Sequence, residues 1–234
     1  ALNALELSVT SAPLGEDGVR HVTLETVEQT MQRRSPRYDK AGDQHYDTIS
    51  AFIKSVRGSD PDAAVYWLAR MIDAGEDPMF IARRIVILAA EDIGLADPQA
   101  LSVAVAAQQA VHFVGMPEGR IPLAEATVYL ATAPKSNSAY MAIDEALKDA
   151  GKTPNEPVPL HLRNPVSSLM KAEGYGEGYR YSHDYEDHFS PMENLPPKLR
   201  GRSYYHPSEQ GAEKEAGRRH RSRWERPGDG EPSG

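Results

Sequence analysis

The sequence predicts an all-α chain, a helical bundle that gives way to an irregular C-terminal arm. Three observations predict it. Asx-Pro pairs recur just before apolar segments of helical spacing, glycines close those segments, and no convincing strand interrupts them.

The chain opens with ALNALELSVTSA. Leu2, Leu5 and Val9 stand at helical spacing with no capping residue before them. A helix without a start is the expectation for a chain cut from something longer; a frayed terminus is the plainer alternative. There is no basic leader, so this is not a signal peptide. SAPLGEDGVRH (Ser11 to His21) is a loop of Gly, Pro and charge. Thr23 caps a short helix with Leu24, Val27 and Met31 along one face, and RRSPRYDKAGDQ (Arg33 to Gln44) is a polar connector. A helix follows from about His45, with Ile49, Ile53 and Val56 as its stripe and Gly58 ending it in the left-handed conformation.

Asp60-Pro61, Asp77-Pro78, Asp97-Pro98 and Asn164-Pro165 then repeat one device. The Asx oxygen accepts an orphan backbone N–H, and proline at the first helical position gives up a donor that had no partner. Gly75, Gly94, Gly115, Gly151 and Gly174 punctuate the other ends. The spacing predicts helices over about 60–74, 78–92, 98–114, 121–133, 137–150 and 165–173. Small residues in LSVAVAAQQAV (Leu101 to Val111) allow close helix packing, as core or as subunit contact. After Gly151 the chain turns extended and proline-rich. From Gly174 to Glu209 it is full of Tyr, Gly and Pro, an ordered arm whose rings supply burial. From Gly211 the charged tail reads as flexible after a short helical start.

Composition limits the function classes. With 234 residues there is room for one or two domains with a real core. No apolar run approaches the roughly 20 residues of a membrane span. The absence of cysteine removes disulfides, thiol nucleophiles and Cys-ligated zinc, and fits a reducing cytosol. A net charge of −8 argues against a wholly basic nucleic-acid module.

No phosphate-binding glycine motif of the GxxxxGK[ST] or GxGxxG kind is present, so this chain alone holds no nucleotide triphosphate in a P-loop. SHDYEDH places His183 and His188 among Asp184, Glu186 and Asp187. The spacing is not the one-turn HExxH pattern, and a polar arm surface is preferred to a metal site. Glu91 and Asp92 end an apolar helix, where acids oppose the macrodipole unless they have partners. A buried pair with Arg83 or Arg84, or a subunit contact, explains them better than catalysis. Lys135 in APKSNSAY lies beside a helix N-terminus capped by Ser136. That end could hold a DNA phosphate, though plain capping is the simpler reading. RRHRSRWER carries Arg218, Arg219, Arg221 and Arg223 around Trp224, a pattern for charge and stacking on single strands, against a solvated tail.

Four stretches closely resemble the C-terminal half of the MgsA/RarA family, whose eukaryotic relatives are the Werner helicase-interacting ATPases. They are YDTISAFIKSVRGSDPDAAVYWLARMIDAGEDP (Tyr46 to Pro78), RRIVILAAEDIGLADPQAL (Arg83 to Leu101), MPEGRIPLAEATVYLATAPKSN (Met116 to Asn137) and GYGEGYRYSHDY (Gly174 to Tyr185). The family consists of AAA+ ATPases related to clamp loaders, which act at stalled replication forks and in recombination-dependent repair. The resemblance implies that residues 1–38 close an AAA+ lid and 39–173 form a collar-like oligomerisation domain. A Tyr/Pro-rich arm (174–210) and a flexible charged tail (211–234) then follow. It also implies a homotetramer and contact with replication-fork or single-stranded DNA and with single-stranded DNA-binding protein. Its cellular place would be the cytoplasm, at the nucleoid. ATP, magnesium, both Walker motifs and the arginine finger would belong to a segment before Ala1, so no catalytic, cofactor or metal residue is assigned here.

On this reading Trp67, Arg70, Arg83, Arg84, Glu91 and Asp92 are core or oligomer contacts. Val65, Leu68 and Ile72 form the buried stripe of their helix, and Arg57 and Arg70 are ion-pair partners. Lys54, Arg57, Lys135, Arg218, Arg219, Arg221 and Arg223 are the possible DNA contacts.

Overall fold

The computed structural model describes residues 43–224, together with 9, 12, 15, 18–25 and 27. Leu2, Leu5, Met31, the connector as far as Gly42 and the tail beyond Trp224 lie outside the described residues. Among the described residues the chain is helical with no extended strand, as the sequence predicts, and no helix is long and apolar enough to cross a membrane. It packs as two units: Ala1–Ile85 with Ala106–Thr132, and Val86–Val105 with Ala133–Gly234.

In the first unit, α1 (Asp43–Arg57) and α2 (Pro61–Asp73) pack against each other and against α5 (Arg120–Thr132). The turn between α1 and α2 is built from the backbone outward. Ser59 N donates to Val56 O at 3.1 Å and Asp60 N to Ser55 O at 3.0 Å, the pairing of a Schellman closure. The left-handed residue is therefore Ser59, at φ 59°, and not Gly58. The long bond closes at Asp60, so the residue just before it must turn. Asp60 then caps α2, accepting from Ala63 N at 2.9 Å.

The buried stripes are offset from the expected ones. On α1 they are Ile49, Phe52 and Val56, with Phe52 in place of Ile53. On α2 they are Ala64, Leu68 and Met71, with Val65 and Ile72 only half-buried. Each stripe keeps helical spacing, but its phase is set by the neighbouring helix, which one segment of sequence does not display. α3 (Pro78–Leu88) starts on Asp77, whose carboxylate accepts from Met79 N at 3.0 Å and Phe80 N at 3.1 Å.

The second unit begins at Val86, in the last turn of α3. The helix expected over 78–92 widens into a π turn at Ala89–Ile93 and tightens into a 3-10 turn at Gly94–Ala96 before α4 (Gln99–Val114), where Asp97 accepts from Gln99 N. The carbonyl of Asp92 is taken by Ser136 N at 2.8 Å, a bond to a distant segment in place of the regular ladder. α6 (Ser138–Lys152) packs on these two turns. It passes through Gly151, which ends nothing. Asn164-Pro165 starts no helix either: the short α7 (Ser168–Ala172) is capped by Ser167, whose Oγ accepts from Met170 N at 3.2 Å.

A 3-10 turn at Leu160–Leu162 precedes α7, and the arm carries three more, at Ser182–Asp184, Glu186–His188 and Pro197–Leu199. Its rings bury less than expected, since Tyr179, Tyr181 and Tyr185 are exposed. What ties the arm to α6 is polar: Arg202 Nε meets Asp149 Oδ2 at 2.9 Å, and the Tyr204 hydroxyl donates to the same oxygen at 3.3 Å. The tail's helical start is a full helix, α8 (Glu213–Trp224), and its first residue is completely buried.

Candidate functional site

Lys54 and Arg57 fall in the last turn of α1, exposed, where positive charge complements the helix dipole. Arg57 interacts within the protein. On α2, Trp67 is half-buried and meets Tyr66 edge-on at 5.1 Å. Arg70 lies 5.9 Å over the Trp67 ring and donates to the Tyr66 hydroxyl at 3.2 Å. Its contacts are thus aromatic and come from its own helix, where Tyr66, Trp67 and Arg70 cluster within little more than one turn of α2.

Arg83 pairs with Asp77 at 3.3 Å, an exposed bridge that also reinforces the cap of α3. Arg84 lies 5.1 Å over Phe80, and its Nε is buried without a hydrogen-bond partner. His45 also meets the Phe80 ring, at 5.6 Å between ring centres, and meets Glu76 at 2.8 Å. Asp92 is buried and Glu91 half-buried in the π turn. The cation set near Asp92 is Lys135: burial holds the Lys135 ammonium below its usual pKa, and the negative charge of Asp92 pushes it back up. Lys135 Nζ also donates to Ala133 O at 2.6 Å, so the side chain sits against its own loop rather than reaching into solvent.

The most heavily built polar group in the second unit is one the sequence reading passed over. Glu213 is 0 % exposed and accepts hydrogen bonds from the hydroxyls of Ser138, Tyr205 (3.0 Å) and Ser208 (2.6 Å). Burial by itself would raise the carboxyl; the hydrogen bonds of Ser136, Ser138, Ser208 and Tyr205 outweigh it and hold the group below the usual carboxylate range. Burial, with the Glu213 hydrogen bond and charge behind it, pushes Tyr205 up to about 12. The N-cap position of α6 is Asn137, which makes no side-chain cap bond, and not Ser136; Ser136 Oγ instead accepts from Ser138 N at 3.3 Å beside the buried node. Backbone packing closes the arrangement. Ala212 N donates to Ala96 O at 2.8 Å, and a Cβ at Gly211 would stand 2.1 Å from that oxygen. Nothing local marks Glu213 in EKEAGRRHRSRW, because its partners come from residues 136–138 and 205–208.

This node fixes the start of the arginine helix, and the arginines are then drawn into internal contacts. Arg218 pairs with Glu215 at 3.1 Å and Arg221 with Glu209 at 3.0 Å. Arg223 donates to Asp187 O at 3.4 Å and lies 5.5 Å over Phe189, which also meets Trp224 edge-on at 5.3 Å. Arg219 remains exposed. His183 and His188 stand 5.0 Å apart, and among the described residues no group of three His, Asp or Glu side chains converges as a metal site.

Comparison with known proteins gives two adjoining family matches. The family described as MgsA AAA+ ATPase C terminal matches residues 58–224, and that described as AAA C-terminal domain matches residues 1–57. The chain is 47% identical to the replication-associated recombination protein A of Escherichia coli, over 93% of this chain and 49% of that protein. It is 49% identical to the protein of the same name from Bacillus subtilis, over 90% of this chain and 50% of that protein. An ATPase of Dictyostelium discoideum, WRNIP1, is 46% identical over 75% of this chain and 20% of its own length. The chain thus spans about half the length of these two bacterial relatives.

Proposed function

We propose, from the premise that this chain belongs to the MgsA AAA+ ATPase C-terminal family, that it is the assembly module of a replication-associated recombination ATPase. In this reading it holds subunits in a tetramer so that ATP sites, supplied with magnesium by the half of the relatives it does not span, meet across interfaces. The assembled protein acts on stalled forks in the cytoplasm, at the nucleoid. The observation that carries the proposal is apolar surface without cover. In the first unit Phe113 is 90 % exposed, and Val114, Met116 and Ile121 around the same turn are exposed with it. In the second unit Tyr140, Ile143 and Leu147 recur along one exposed face of α6. Apolar groups grouped in this way mark protein contacts rather than ordinary surface. Light scattering of the chain across a hundredfold concentration range tests it. A stable tetramer supports assembly through these residues, and a monomer throughout overturns it.

A second reading is binding of DNA, or of the single-stranded DNA-binding protein that coats it. Lys54 and Arg219 favour it, being exposed cations in the last turn of α1 and on α8. It requires affinity that falls steeply with salt and weakens when Arg219 is removed.

A further inference from the structure

In the second unit a cleft of about 880 Å³ opens between the Leu160–Leu162 turn, α7 and the glycine-rich loop that follows. Its size falls within the range of pockets that take small organic ligands. We propose that this cleft binds a nucleotide unit, a flat base joined to a phosphate. The proposal deepens the DNA-binding reading above and rests on it.

The walls are fixed before any ligand arrives. Arg163 Nε donates to Val158 O at 2.6 Å and its Nη1 to the Tyr175 hydroxyl at 3.2 Å. Its guanidinium also lies 5.1 Å over the Tyr175 ring, so both planes are held in place. Gly176 N donates to Leu160 O at 2.9 Å and pins the loop to the turn. Gly176 has φ +78°, a left-handed conformation that glycine adopts without strain, so the path of the loop here depends on glycine.

What the walls present is complementary to a nucleotide. Arg163 covers one side of Tyr175, whereas Tyr179 lines the cleft, 54 % exposed and with no ring contact among the described residues, and is available for stacking. Lys171 lines the same cleft with no ion-pair partner among the described residues, a cation available to phosphate. Asn164 adds an amide with both a donor and an acceptor, the type of group that bonds a base edge. Glu177 also lines the cleft and opposes an anion, but its Oε2 turns toward Gly174, where a Cβ would lie 3.1 Å from it. A cation, an exposed ring and an amide along one cleft suit a base with its phosphate better than an anion alone.

The test is fluorescence anisotropy of labelled oligothymidine with the full 234-residue chain, competed by thymidine monophosphate and, separately, by polyglutamate. Tyr179→Ala is expected to weaken oligonucleotide binding about tenfold or more, with Tyr179→Phe retaining it. Lys171→Ala is expected to weaken it and to lower its salt dependence. Displacement by the monophosphate assigns the site to free nucleotide; oligonucleotide binding that the monophosphate fails to displace assigns it to a strand. Either supports the cleft, provided the variants behave as stated. Oligonucleotide binding that is indifferent to Tyr179→Ala overturns the cleft while leaving the DNA reading intact. Polyglutamate competing as well as thymidylate overturns it in favour of simple anion attraction. No binding of oligonucleotide or monophosphate overturns both readings.

Discussion

Ser138 donates a hydrogen bond to Glu213 across 75 residues of sequence, and that bond joins the first residue of α6 to the first residue of α8. The carboxylate is satisfied by hydroxyls and stays ionised though fully buried. The tail helix is therefore held by a specific polar contact rather than by apolar packing, of which α8 has little.

Replacing Glu213 with Ala leaves several buried hydroxyls without an acceptor. The expected loss is about 1–3 kcal/mol, read as a lower urea midpoint with unchanged slope. The contribution depends on pH in a defined direction. The folded carboxyl lies below its ordinary value, so its stabilisation is fully present above the unfolded pKa of about 4.3 and is lost as pH falls through the folded pKa. The gap between wild type and Glu213→Gln should accordingly be constant near neutrality and close in acid. A gap that does not change below pH 4 would contradict this account.

Tyr205 should be among the last tyrosines to ionise, at pH about 12. Ultraviolet titration of Tyr205→Phe is expected to lose that late step and keep the earlier ones. The same variant should lose about 1 kcal/mol at neutral pH, from the missing hydrogen bond to Glu213.

Ser59 holds a left-handed conformation that costs a non-glycine residue roughly 1 kcal/mol. Ser59→Gly should therefore raise the melting temperature, and Gly58→Ser should not reproduce the gain. Asp60→Ala in the same turn is expected to cost about 1 kcal/mol through loss of the α2 cap.

Gly211→Ala would place a methyl group 2.1 Å from Ala96 O and 2.8 Å from Pro134 Cγ at a positive φ. Neither atom can yield without moving backbone or ring. The expected outcome is release of α8, seen as faster amide exchange over Glu213–Trp224 while α1 and α2 keep their protection.

Leu147→Glu puts a charge on the exposed face of α6. If that face joins subunits, the variant should fall to a lower mass at equal concentration, with its circular dichroism unchanged. An unchanged mass for both Leu147→Glu and Phe113→Ser would remove the observation on which the assembly reading stands.

The sequence by itself determined the helical class, the family, and most helix starts. Asp60, Asp77 and Asp97 could be read as caps because a cap acts on backbone N–H groups two or three residues away. Everything in such a contact lies within one short window of sequence. The tertiary structure decided what depends on a distant partner. The buried stripes of α1 and α2 shifted because the helix facing them sets their phase. Glu91 and Asp92 fell in a π turn because Ser136 takes the Asp92 carbonyl, and Lys135 was drawn inward toward that acid. Glu213, one acid in a charged tail, became the best-satisfied buried group because Ser138, Tyr205 and Ser208 converge on it. Local hydrogen-bond chemistry is written in neighbouring residues, whereas burial and electrostatics are properties of whatever the fold brings alongside.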